Sequence, residues 1–95
     1  MALSGKQRRT LRALGHHLDV VVQIGQHGVT EGVVKATAQA LADHELVKVK
    51  FPEGREERVE LVKTLAAQTG SEVAQTLGRT ALFYKRRAKK SKIAI

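Results

Sequence analysis

The chain has no cysteine and no tryptophan, a single proline, and three aromatic residues among 95. Without cysteine there are no disulfides and no thiolate metal ligands. Without an apolar run approaching about 20 residues there is no candidate membrane span. The aromatics are Phe51, Phe83 and Tyr84. Phe83 and Tyr84 are adjacent, so at most one of them faces outward from a strand. A surface that reads bases mainly by ring stacking is therefore excluded.

Acidic residues are missing from both ends of the chain. Residues 1–18 carry Lys6, Arg8, Arg9 and Arg12 and no acid, a net of +4. Residues 19–72 hold all nine acids against six bases, a net of −3. Residues 73–95 carry Arg79, Lys85, Arg86, Arg87, Lys89, Lys90 and Lys92, a net of +7. The total of +8 and the pI near 10.3 thus come from two cationic ends on a near-ordinary body. Such a distribution points to a polyanionic partner, although a single charge run also suits a merely solvated face. An Arg-rich, acid-free start resembles a transit peptide. The segment nevertheless carries its own helix cap and apolar stripe, and an intracellular, cytoplasmic location is the expectation.

Ser4 and Gln7 have capping-box spacing and open a helix. Leu11, Leu14 and Leu18 form its apolar stripe, with the four cations opposite, and Gly15 ends it. Asp19–Ile24 (DVVVQI) is a β-branched run stopped by glycine and is expected as a buried strand. Thr30 caps a second helix whose inner stripe is Val33, Thr37, Ala40, Leu41 and His44. Leu46–Phe51 (LVKVKF) alternates with period two, placing Val47, Val49 and Phe51 on one face. A third helix runs from Arg55 or Glu56 to Thr69, lined by Val59, Val62, Leu65, Ala66 and Thr69, and stops at Gly70. Glu72–Leu77 and Thr80–Lys85 form a hairpin around Gly78-Arg79. The order α-β-α-β-α-β-β predicts an α/β fold: a small mixed four-stranded sheet with three helices. Residues 1–85 make the domain and 86–95 a flexible basic tail.

Gly25-Gln26-His27-Gly28 is the most informative short motif. It follows a strand and precedes a helix start, where side-chain-free backbone and outward-pointing amides suit a phosphate. A GxxG loop is how KH domains clamp a nucleic-acid backbone; two glycines three apart also make an ordinary turn. Replacing Gly28 by Asp is expected to weaken binding and leave the domain folded. No GxGxxG and no Walker lysine are present. The histidines at 16, 17, 27 and 44 lack metal-ligand spacing. No nucleophile, base and orienting group form a set, and Glu56, Glu57 and Glu60 read as a solvated helix face. The expectation is a monomer that is not an enzyme, with no metal, cofactor, small-molecule substrate or membrane partner.

Several segments together carry a more specific signal: LSGKQRRTLRALGHHL, VVVQIGQHGVTEGVV, HELVKVKF, the TG at 69–70, and GRTALFYKR. They resemble the YhbY family of single CRM (chloroplast RNA splicing and ribosome maturation) domain proteins, from about Leu3 to Lys85. His17 and Val20 stand where relatives often have proline, Asp19 where a cation is frequent, and His27 where Lys or Asn is common. The resemblance implies an RNA-binding fold similar to the C-terminal domain of translation initiation factor 3, associated with precursors of the large ribosomal subunit. It also places the family's GxxG loop on Gly25, Gln26, His27 and Gly28, and its basic helix on Lys6, Arg8, Arg9 and Arg12. Lys85, Arg86 and Arg87 are expected to add a second cationic flank. RNA held through its backbone is the expected partner, with a nucleoid-type DNA-binding protein and an RNA-modifying enzyme as the alternatives.

Overall fold

The computed structural model describes residues 3–87 together with Ser91 and Ile93. Its elements are α1 (Gly5–Gly15), β1 (Val20–Gln23), α2 (Glu31–His44), β2 (Leu46–Lys50), α3 (Arg55–Thr69), β3 (Glu72–Leu77) and β4 (Thr80–Tyr84). The sheet order is β1-β2-β4-β3. β1 and β2 are parallel, and β4 runs antiparallel to both β2 and β3. The expected order, helix number and mixed four-stranded sheet are all present. No helix among the described residues is long and apolar enough to cross a membrane.

Helices pack on both faces of the sheet, which makes three layers. On one face, Val22, Ile24, Val47, Val49, Phe51, Ala81 and Phe83 meet Leu41 of α2 and Leu65 of α3. On the other, Leu46, Ala74, Leu82 and Tyr84 meet Leu3 and Leu11. Alternation along β4 sends Phe83 and Tyr84 to opposite faces, and both are buried. Neither ring reaches solvent, because each face of the strand has its own helical cover.

The helix starts follow the local chemistry. Ser4 Oγ accepts the Gln7 amide at 3.1 Å while Gln7 Oε1 accepts the Ser4 amide at 2.9 Å, a complete capping box. Thr30 Oγ1 accepts the Val33 amide at 3.2 Å. Gly70 ends α3 in the left-handed region at φ 66°.

Several expected core positions lie outside. Leu14 is 45% and Leu18 36% exposed, so α1 docks through Leu11 and Gly15 rather than through a leucine stripe. The cause is a close approach: a Cβ on Gly15 would collide with the Leu82 side chain. The helix comes down on the sheet at its glycine, which turns Leu14 away. β1 is an edge strand, not a buried one, and only Val22 and Ile24 of the run point into the core. His44 is exposed at the end of α2, and Val59 of α3 is 48% exposed.

Tyr84 carries a pH signature. Burial raises its phenol above the ordinary tyrosine value, and the Glu45 carboxylate adds to this; Arg86 and the nearby Ser91 hydroxyl oppose. Folding therefore favours the neutral phenol. The contribution is fully present below about pH 10 and is lost as the pH rises through the higher folded value. Urea midpoints compared at neutral and strongly alkaline pH should fall more for the parent chain than for Tyr84→Phe. Equal falls would show that Tyr84 is not the titrating group.

Candidate nucleic-acid interface

The Gly25–Gly28 loop sits at one end of the sheet, where β1 leaves its pairing with β2. The Ile24 amide donates to the Lys50 carbonyl at 2.9 Å, and the chain then turns, with the Gly28 amide donating to the Gly25 carbonyl at 3.1 Å. Gly28 has φ 71° and Gly25 lies outside the left-handed region. Gly25, Gln26 and His27 are exposed and Gly28 is half-buried. The amides of Gln26, His27, Glu31 and Gly32 have no acceptor among the described residues, since the Thr30 cap takes only that of Val33. Unpaired amides ahead of a helix make a local anion-accepting surface.

The two glycines are not equivalent, and this corrects the expectation for Gly28→Asp. A side chain at Gly28 has to adopt a positive φ and meets Leu61 Cδ2 at 3.3 Å. The left-handed backbone alone costs a non-glycine residue roughly 1–2 kcal/mol. A Cβ at Gly25 meets nothing within 4 Å. Gly25→Asp is therefore the informative variant. It should leave the thermal midpoint unchanged and weaken RNA binding by placing a carboxylate beside the free amides. Gly28→Asp should lower both. Normal RNA binding by folded Gly25→Asp would reduce the loop to a turn.

The loop has an acidic side. Gly25–Gly28, Pro52, Glu56, Glu57, Glu60 and Leu61 line a cleft of about 620 Å³ between the loop and α3. The three glutamates are thus a wall of this cleft as well as a solvated helix face. An anion has to approach the loop from outside the cleft, away from α3.

On the α1 side of the sheet the surface has the opposite charge. Lys6, Arg8, Arg9 and Arg12 are exposed on α1. The C-terminal end of α1 borders a hollow in which Gly15 and His16 meet Lys48, Leu77, Thr80 and Leu82. The apolar cluster under α1 draws on β2, β3 and β4 and on no residue of β1. The β1–β2 flank of that face stays open. Lys48 and Lys50 lie there half-buried, with Val21 and Gln23 exposed beside them. His16 at the end of α1 thus borders Lys48, and Lys50 lies two residues further along β2, where its carbonyl holds the Ile24 amide next to the Gly25 turn. The period-two phase of Lys48 and Lys50, opposite to Val47 and Val49, offers them in the sequence as an extension of the basic surface, with solvated lysines as the plainer reading.

Lys85, Arg86 and Arg87 lie at the other end of the sheet. Register fixes this: Leu46 pairs with Tyr84, whereas Lys50, next to the loop, pairs with Thr80. Lys85 Nζ donates to the Thr69 carbonyl at 3.0 Å, at the C-terminal end of α3. Arg86 and Arg87 border a hollow with Ala38, Leu41 and Ala42 of α2. Lys89, Lys90 and Lys92 are outside the described residues. The loop and the tail cations therefore form no common patch, and α1 is the cationic element that lies over the sheet between them.

Glu45 organises the tail end and had no sequence signal. It is fully buried at φ 63°, a conformation that glycine adopts more readily. Its carbonyl accepts the Lys85 amide at 2.9 Å. Its Oε2 accepts the Ser91 hydroxyl at 2.7 Å and the Arg87 amide at 3.4 Å. Ile93 packs against the cluster beneath α1.

A three-layer α/β domain with a glycine turn ahead of its second helix and a basic first helix defines a class of small binding domains. The chain belongs to the CRS1 / YhbY (CRM) domain family, whose model matches residues 3–85. It is 40% identical over 93 residues to "Probable RNA-binding protein PA4753" of Pseudomonas aeruginosa, covering 97% of this chain and 89% of that one. It is 38% identical over 84 residues to "Probable RNA-binding protein YqeI" of Bacillus subtilis, covering 87% and 88%. The solution structure of the hypothetical protein SAV1595 from Staphylococcus aureus superimposes with a TM-score of 0.86 at 34% identity, covering 99% of each chain.

Proposed function

We propose that this chain is a non-catalytic RNA-binding protein that grips the sugar–phosphate backbone and serves in the cytoplasm in assembly of the large ribosomal subunit. The observation that carries the RNA reading is the closeness of His16, at the end of the cationic α1, to Lys48, with Lys50 and the unpaired amides of the Gly25–Gly28 turn at the same end of β2. Relatives named as RNA-binding proteins support it. The monomer approaches RNA with α1 and the open β1–β2 flank, and away from the acidic cleft. Exposed cations and backbone amides contact phosphates, and Phe51, Phe83 and Tyr84 are all buried and unavailable for stacking. This combination gives strong salt dependence and modest sequence preference.

Competition binding separates the RNA reading from DNA binding. Structured ribosomal RNA should displace labelled RNA at concentrations where duplex DNA of equal length does not, at one fixed salt concentration. Equal displacement would favour the nucleoid-type alternative. The assembly role is tested by sedimenting cell extract: the chain should travel with precursors of the large subunit and leave them at high salt. Cleavage or modification of labelled RNA by the pure protein would overturn the non-catalytic reading.

A further inference from the structure

α3 separates its charges by side. Glu56, Glu57 and Glu60 face the cleft beside the glycine loop. Arg55, Arg58 and Lys63 face the other way, over a groove of about 660 Å³ between α3 and the β3–β4 hairpin. No acidic residue lines that groove among the described residues. Lys63 lies 3.9 Å from Glu60 in a largely exposed pair, while Arg55 and Arg58 have no ion-pair partner among the described residues. The floor is apolar and consists of Val59, Val62 and Val73.

Cations above an apolar floor call for a ligand that is anionic along one side and flat and apolar on another. Single-stranded nucleic acid has both properties, whereas a duplex hides its base faces. Arg55 and Arg58 are i,i+3 neighbours, with Cβ atoms about 5–6 Å apart, and address adjacent anionic groups. A guanidinium also stacks on an unpaired base where no aromatic ring is present. An acidic peptide added to the outer edge of β3 is the other conceivable occupant. The groove, however, opens over the sheet face: Val73 pairs with Phe83 and Thr76 with Ala81, side chains of the α3-covered layer. Its charge and apolar surface are therefore above the sheet and not along the edge ladder.

We propose that the groove between α3 and the β3–β4 hairpin binds a single-stranded segment of RNA, with phosphates on Arg55, Arg58 and Lys63 and one unpaired base on the Val59, Val62 and Val73 floor. This rests on the RNA-binding reading and adds a surface on the other side of α3 from the glycine loop.

The test is titration of the full chain with a labelled oligouridylate of about 12 nucleotides, within the usual site size of single-strand binders, at several salt concentrations. Arg58→Gln should weaken binding about fivefold and flatten the log–log salt slope by about 0.7, the value for one single-strand phosphate contact. Val59→Ser, at an exposed position, should weaken binding with the slope unchanged. Lys35→Gln is the charge-matched control on the outer side of α2 and should change neither. Thermal midpoints confirm that each variant is folded. Arg58→Gln behaving like Lys35→Gln, or Val59→Ser binding normally, overturns the groove. If those two variants bind normally while replacement of Arg8, Arg9 and Arg12 abolishes binding, the groove fails and the RNA reading stands; this is also the result expected were the groove a peptide site. If the parent chain binds no RNA at any salt, both fail.

Discussion

Replacing Arg8, Arg9 and Arg12 together by alanine is expected to lower RNA affinity by about two orders of magnitude near physiological salt. Each phosphate contact contributes a salt-dependent term with a slope of roughly 0.7–0.9 per charge, so three contacts remove about two to three units of slope. All three side chains are exposed on α1 and take no part in the core. Surface replacements of this kind change stability by about 0.5 kcal/mol or less. The thermal midpoint should therefore stay in place while the affinity falls. Titrations of one RNA over a range of salt concentrations give both quantities. A slope that does not change would show that α1 makes no phosphate contacts, and the interface would have to be sought elsewhere on the molecule.

The fold was legible because most of its determinants are local. The Ser4–Gln7 capping box, the Thr30 cap, the alternation of LVKVKF and the glycine stop at 70 each act within a few residues, and each is realised. What could not be read depends on contacts distant in sequence. Gly15 reads as a helix stop, yet it is the point where α1 touches Leu82, 67 positions later. That contact decides that Leu14 and Leu18 face solvent. DVVVQI reads as a buried strand because a β-branched run does not reveal whether a second neighbour will pair with it; β1 has only β2.

The site divides in the same way. The positions of the basic helix and the glycine turn follow from motif and charge. Their connection through Lys48 and Lys50 follows only from the fact that α1 covers β2, β3 and β4 and leaves β1 open. The acidic wall of Glu56, Glu57 and Glu60 beside the turn was equally hidden, because α3 and the loop lie about 30 positions apart in sequence and meet only in the fold. Lys85–Arg87 are contiguous with the cationic end of the sequence, but strand register carries them to the far end of the sheet from the turn. Charge counted along a chain sums the field; the topology decides which charges act on one ligand.

Leu11→Ala tests whether placement of the basic helix matters beyond its charge. Leu11 is fully buried, and Leu11 and Gly15 are the buried residues of α1. Truncating a buried leucine costs about 2–5 kcal/mol, and each kcal/mol lowers the midpoint of a domain of this size by roughly 4–8 °C. Leu14→Ala removes the same atoms from a side chain that is 45% exposed and should cost about 0.5 kcal/mol or less. Both variants keep every cation. Below the transition of the weaker variant, RNA affinity should fall for Leu11→Ala and hold for Leu14→Ala, because the helix that carries Arg8, Arg9 and Arg12 is tied to the sheet at Leu11 and not at Leu14. Equal affinities for the two would mean that a cationic segment suffices wherever it lies. The closeness of the end of α1 to Lys48 would then be a coincidence of charge, since only a docked α1 keeps His16 beside that lysine.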